Sequence, residues 1–174
     1  LPPSFIRAEW KRIIKEFGFA LPCQEAVDAL RKLAPILEVC SGTGAWARVL
    51  AKNGVDIIAT DRAFNTRWFR TGRFHPVARM SAADAIRRHP DRDVLMVWPS
   101  YDVDWPGDAI RHIRPGRTLA LVSEGDGGCC GGASLWRQIE TGFQHVGEAE
   151  IPQWDGIYDR LDFYRRRCSR ARAA

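Results

Sequence analysis

Gly42 and Gly44 follow directly on an apolar run, Pro35 to Cys40, that carries one acid, Glu38. A helix-like segment, Ala45 to Lys52, comes next, and then a second apolar run, Val55 to Thr60, ending in Asp61. Strand, glycine turn, helix, strand and strand-end acid, in that order, is the arrangement of a cofactor site. The glycines let the chain turn sharply and let a ligand lie against the backbone. The helix start offers unpaired N–H groups and a positive dipole end to polar groups of that ligand. Asp61 lies seventeen residues past Gly44, close to the spacing at which a carboxylate binds ribose hydroxyls.

Further reactive types gather at the ends of later apolar runs. Val94 to Trp98 is nearly all apolar and leads into Trp98-Pro99-Ser100-Tyr101-Asp102. Thr118 to Ser123 leads into a glycine-rich loop, Glu124 to Gly132, with Asp126, Cys129 and Cys130 inside it. Val77 to Met80 is followed by Ala82-Ala83-Asp84-Ala85, where Asp84 can also cap a helix. His75, alone before Pro76, reads as structural. The stretch 62–75 interleaves Arg62, Arg67, Arg70 and Arg73 with Phe64, Trp68, Phe69 and Phe74. Aromatics that stack on bases beside phosphate-binding arginines are one reading. A short helix burying Trp68 and Phe69 is the simpler and preferred one.

From Pro35 to Arg167 the sequence resembles the class I S-adenosylmethionine (SAM) dependent methyltransferases. Their first motif, E/D-x-G-x-G-x-G, is read here as Glu38-Val39-Cys40-Ser41-Gly42-Thr43-Gly44, with Cys40 in place of the first glycine. The resemblance implies that SAM is the cofactor. Glu38, or a water it holds, would orient the methionine end beside Cys40, and Asp61 would hold the ribose. Asp84 would accept from the adenine amino group while the Ala85 N–H meets a ring nitrogen. Amino-group methyltransferases carry D/N-P-P-Y after the fourth strand. Here Pro99 and Tyr101 match, Ser100 replaces a proline, and Trp98 replaces the acid or amide. Trp has an N–H donor and no acceptor, so that carboxylate mechanism does not carry over. Trp98, Pro99 and Tyr101 would line the acceptor pocket, with Glu124 or Asp102 as base. The pairing of the WP-x-YD turn with the EG-x-GG-C loop resembles a small branch of the class and implies no particular acceptor. A planar nitrogen or hydroxyl, in RNA, protein or a small molecule, suits the residues.

Two other readings stay open. Gly42 to Ala47 also fits G-x-G-x-x-A of NAD(P)-dependent oxidoreductases, although no Tyr-x-x-x-Lys hydride-transfer pair is present. A catalytically inactive subunit of a larger, RNA-containing assembly fits Cys40, Trp98 and the arginine surplus.

These segments need a sheet and helices to position them. A chain of 174 residues builds one domain with a real core. Ser4 can cap a helix with Ile6, Trp10, Ile13, Ile14 and Phe17 on one face, ended by Gly18. A second helix spans about Cys23 to Ala34. Strands are expected at 36–40, 56–60, 77–80, 93–98 and 118–123, with helices between them. A helix from Ser134 to Gly142 and two closing strands, His145 to Ile151 and Leu161 to Arg165, complete the pattern. The fold class is α/β, a doubly wound, mostly parallel seven-stranded sheet with a closing antiparallel strand pair and two N-terminal helices. Residues 1–34 form a helical flank, 35–167 the SAM-binding domain and 168–174 a basic tail.

The net charge is +5, and 22 of the 26 basic residues are arginine. Arginine suits phosphate and carboxylate recognition, so RNA or an acidic protein is a candidate partner; a genome-level arginine bias on a solvated surface explains the surplus equally well. No apolar run approaches membrane-spanning length. The five cysteines form no CxxC pair, no zinc spacing and no disulfide framework. No metal site is expected, and a reducing compartment is: intracellular, either cytoplasm or an organelle matrix. The chain starts at Leu1, so a targeting peptide can have preceded it.

Overall fold

The computed structural model describes residues 3–63 and 72–168, with side chains from residue 8. The expectation for Phe64 to Arg70, including a buried Trp68 and Phe69, lies outside the described residues, as does most of the basic tail. Seven strands and six helices are formed by the described residues: α1 (Pro3–Glu16), α2 (Gln24–Arg31), β1 (Ile36–Val39), α3 (Ala45–Lys52), β2 (Ile57–Asp61), β3 (Val77–Arg79), α4 (Ala82–Arg88), β4 (Asp93–Val97), α5 (Trp105–Ile110), β5 (Thr118–Ser123), α6 (Ala133–Gly142), β6 (Phe143–Ala149) and β7 (Arg160–Arg166). They make one sheet in the order β3-β2-β1-β4-β5-β7-β6. The first five strands pair in parallel; β7 runs antiparallel to both β5 and β6. This is the expected doubly wound sheet with its closing pair.

The apolar runs explain the layering. Side chains alternate across a strand, so β1 sends Leu37 and Val39 to one face and Ile36 to the other. Val94, Met96, Leu119 and Leu121 join the first face, under Ile86, Ile110 and Leu135 of α4, α5 and α6. Leu95, Ala120, Val122 and Leu161 join the second, under Val27, Leu30, Trp46 and Leu50 of α2 and α3. Each such side chain contributes about 1.5–3 kcal/mol by leaving water. Buried on both faces, β4 and β5 show no polar alternation, as covered parallel strands should not.

Three boundaries differ from expectation by two residues or more. α2 stops at Arg31 because Lys32 and Leu33 turn back onto Ala29 and Leu30. β6 begins at Phe143 rather than His145, directly out of α6, because the Phe143 ring is buried at the helix end. It ends at Ala149, short of Ile151.

Candidate functional site

The parallel strands all end on one rim, and a cleft of ≈ 700 Å³ opens there, within the usual range of about 300–1,000 Å³ for ligand sites. β1 and its glycine turn supply Glu38, Cys40 and Gly42; β2 supplies Asp61, and α3 supplies Ala45 and Trp46. Asp61 Oδ2 accepts the Gly42 N–H at 2.8 Å, and its Oδ1 accepts the Ala63 N–H at 3.0 Å. The carboxylate thus fixes the turn that it faces. Gly44 has φ +72, and a Cβ there would lie 3.0 Å from His75 Cβ and 3.1 Å from Val77 Cγ2. Any other residue there would strain the backbone and crowd both side chains.

Glu38 is 1% exposed, and its Oε2 has no hydrogen-bond partner. Burial pushes its carboxyl up to about 8, opposed by the Ala47 N–H and reinforced by neighbouring Asp61. Cys40 adopts φ +50, a left-handed conformation, at the position where the motif it resembles has glycine. Burial, then Asp61 and Glu38, drive its thiol far above the ordinary range, so it is an inert neutral wall group rather than a nucleophile.

The stretch between α1 and α2 forms another wall, through Phe17, Gly18, Phe19 and Ala20. It is pinned by Thr43 Oγ1 donating to the Phe17 carbonyl at 2.6 Å and by Trp46 Nε1 donating to the Ala20 carbonyl at 2.9 Å. Composition gave no sign that these residues would face the site.

Asp84 and Ala85 are not where the sequence placed them. The wall after β3 is made by Ser81, Ala82 and Ala83. Ser81 caps α4, and the exposed Asp84 side chain is held by the Ser81 hydroxyl and the Arg87 guanidinium. These two contacts, the Ser81 hydrogen bond first, lower its pKa. Ala85 faces the apolar core. The helix begins one turn earlier than an adenine role for Asp84 requires.

Trp98, Pro99, Ser100 and Tyr101 line the opposite half of the cleft, with Trp105, Asp108 and Cys129. Trp98 takes φ +49 and stacks on Phe19 with ring centres 4.9 Å apart. Its Nε1 donates to Asp159 Oδ1 at 2.8 Å. Asp159 is fully buried; desolvation pushes its carboxyl up to about 6 against the Trp98 hydrogen bond. Asp159 was missed in the sequence. The signal was indirect: an indole N–H at a strand end inside the protein needs an acceptor.

Glu124 is also displaced from its expected role. Its Oε2 accepts the Cys129 N–H at 2.8 Å and its Oε1 accepts the Tyr158 N–H at 3.3 Å, so it ties the glycine loop to the β6–β7 connection and is not among the cleft-lining residues. The turn after β4 and the glycine loop do not face each other across the pocket. They are joined instead: Gly131 N–H donates to the Pro99 carbonyl and Asp102 N–H to the Gly131 carbonyl, both at 2.9 Å. A Cβ on Gly132 would lie 2.8 Å from the Val103 carbonyl oxygen, which is why glycines occupy this seam. Both segments make one wall.

No protein-family model matches this sequence, and no curated protein matches it either. Solved structures match at the level of fold. TrmN from Thermus thermophilus has a TM-score of 0.54 at 19% identity, covering 81% of this chain and 48% of that one. This chain therefore spans about half the length of TrmN. Magnesium protoporphyrin IX methyltransferase (ChlM) from Synechocystis PCC 6803, solved with bound SAM, has a TM-score of 0.51 at 17% identity, covering 82% and 79% of the two chains. A SAM-dependent methyltransferase from Anabaena variabilis ATCC 29413 has a TM-score of 0.53 at 9% identity, covering 96% of each chain.

Proposed function

We propose that this chain, whose fold is that of the class I SAM-dependent methyltransferases, binds SAM in the rim cleft and transfers its methyl group to a planar nitrogen or hydroxyl acceptor. The observation that carries the reading is Glu38: a fully buried acid in the cleft wall with one oxygen lacking any partner. Such a group calls for a cationic or hydrogen-bonding ligand. The ammonium of a methionine moiety supplies one.

The remaining residues fit the same ligand. Asp61 would accept from ribose hydroxyls beside Gly42, and the small side chains of Ala82 and Ala83 would leave room for a flat base. When bound, SAM supplies a methyl group already activated by its sulfonium, so the protein's task is placement and exclusion of water. Phe19 and Trp98 form an apolar wall between the cofactor half and the acceptor half. Tyr101 and Trp105 offer ring faces to a flat acceptor, and Asp108 is the carboxylate at the mouth that can take its proton.

A dinucleotide fits less well. Its pyrophosphate needs free backbone N–H groups at the glycine turn, and the Gly42 N–H is already given to Asp61. Glu38, once ionised, would repel the pyrophosphate, and Asp61 would repel the 2′-phosphate of NADPH. Calorimetric titration with SAM, its demethylated product and NADPH tests the reading. Micromolar binding of the first two and none of NADPH is expected; the reverse order would overturn it. Transfer of labelled methyl groups from SAM to fractionated cell extract then identifies the acceptor.

A further inference from the structure

Three segments make the acceptor half of the rim: 98–110 after β4, 124–136 after β5, and 150–159 between β6 and β7. They are one surface. Pro99 and Asp102 bond to Gly131, Tyr158 bonds to Glu124, and Trp98 bonds to Asp159. Eight of the chain's 21 acidic residues and none of its 26 basic residues lie in these segments. The rest of the chain carries 26 basic residues against 13 acidic ones. Arg111 and Arg160 flank the segments, paired with Asp108 and Asp162, and the Arg160 guanidinium lies against Gly125; the remaining acids of this face are still an excess that the composition of the whole chain does not explain.

The acids are also available. Asp102, Asp104, Asp126 and Asp155 are exposed, and none has an ion-pair partner among the described residues. Large aromatic side chains stand among them: Tyr101 is 67% exposed, Tyr158 69% and Trp105 36%. Behind them, fully buried Asp159 keeps Oδ2 without a partner. Meanwhile Arg88, Arg114 and Arg165 sit at the opposite edge of the sheet, at the helix ends and strand starts that the rim does not share. A polyanion such as RNA would be repelled at this half of the rim and drawn to the far edge.

We propose that the acidic, aromatic surface formed by residues 98–110, 124–136 and 150–159 docks a Lys- or Arg-rich polypeptide segment. Carboxylates pair with the cationic heads, and the faces of Tyr101, Tyr158 and Trp105 take the same heads by cation–π contact. A neighbouring side chain of that segment then enters the cleft. Its identity as the methyl acceptor rests on the methyltransferase reading; the docking surface does not.

The test uses the full chain and fluorescence anisotropy with three labelled probes: a twelve-residue Lys-Gly peptide, a Ser-Gly peptide of equal length, and a single-stranded RNA oligonucleotide. The variant Asp104→Asn/Asp126→Asn/Asp155→Asn removes one exposed acid from each segment, and SAM affinity is measured in parallel by calorimetry. The Lys-Gly peptide should bind the wild type at low salt, weaken as salt rises, and bind the variant about ten- to thirty-fold more weakly, the sum of three screened charges. SAM affinity should be the same in both proteins. Equal binding of the two peptides, or of the Lys-Gly peptide to wild type and variant, would overturn the docking surface. RNA binding that the same three substitutions change by tenfold would do so too, by showing that nucleic acid occupies this face. Peptide docking with no SAM binding would instead leave the surface standing and remove the methyltransferase reading.

Discussion

Replacing Glu38 with Gln separates two consequences of a buried acid. In the folded protein its carboxyl is pushed from the ordinary 4.5 up to about 8. The folded state therefore holds a proton that the unfolded state has released, across the window between those values. Stability should be full below about pH 4.5 and should fall as pH rises toward about 8. About 3.5 units at 1.36 kcal/mol each sets an upper limit of about 5 kcal/mol, and water entering the cleft will reduce it. Glu38→Gln has no charge to bury, so urea unfolding at about pH 5 and pH 8.5 should show this loss in the wild type and not in the variant. SAM binding should behave in the opposite sense. If the ammonium pairs with ionised Glu38, binding below about pH 8 expels a proton, and affinity should rise by up to about tenfold per pH unit. Calorimetry in buffers of different ionisation enthalpy reads that proton directly. The variant should bind SAM more weakly and without this dependence. Flat wild-type affinity between about pH 6 and 8, or wild-type affinity in Glu38→Gln, would refute the pairing. An equal pH dependence of stability in both proteins would refute the burial argument itself.

Asp61→Ala should weaken SAM binding by about 1–3 kcal/mol through loss of a charge-assisted contact, read by calorimetry at neutral pH; unchanged affinity with an intact fold removes Asp61 from the site. Gly44→Ala forces a left-handed Ala and a Cβ against His75 and Val77; a loss of about 2 kcal/mol should lower Tm by about 4–8 °C in scanning calorimetry. Trp98→Phe keeps the stack on Phe19 and leaves Asp159 Oδ1 without its 2.8 Å donor. It should cost about 1–3 kcal/mol in urea unfolding. Because Asp159 already holds its proton to about pH 6, that cost should be smaller at about pH 5 than at pH 8, and Asp159→Asn in the same chain should restore part of it.

The centre of the sheet was legible because β1, β4 and β5 are covered on both faces. Val94 to Val97 and Leu119 to Val122 are unbroken apolar runs, and their short length and the turn residues on either side favour central parallel strands over buried helix. The glycine-turn wall of the cleft was legible for a related reason. Gly42, Gly44, Glu38 and Asp61 lie close in sequence, and the strand-turn-helix unit fixes their relative places. Asp84 misled because an acid one turn into a helix and an acid at a strand end read alike when the helix start is uncertain by a few residues; Ser81 and Asp84 each fit as a cap. Glu124 misled because a loop rich in glycine gives no direction to its side chain. Asp159 and Phe19 lie 61 and 79 residues away from Trp98 in sequence, and no local pattern joins them. Only tertiary contact does.

The three non-glycine residues with left-handed backbone among the described residues are Cys40, Trp98 and Asp102, all just after β1 or β4. Each costs on the order of 1 kcal/mol, and such strain persists where the surroundings over-determine it. For Cys40 the determinants are the Asp61 clamp on Gly42 and the packing of β1 between β2 and β4. For Trp98 they are the Phe19 stack and the Asp159 hydrogen bond; for Asp102, the bond from its N–H to Gly131. The strain has a geometrical effect at Trp98. The left-handed turn directs its indole N–H to buried Asp159 and lays its ring against Phe19, so Trp98 offers the cleft a ring and no donor. The amino-group methyltransferases present an acid or amide at this strand end, and this chain keeps its buried acid one layer further back. On the proposed methyltransferase reading, an acceptor entering here would meet aromatic surface at β4 and a carboxylate at the mouth, Asp108, whose Oδ1 lies 3.5 Å from the Arg111 guanidinium. That order suits a nucleophile that gives up its proton near solvent, and it argues against one that needs a hydrogen-bond acceptor from the strand end itself.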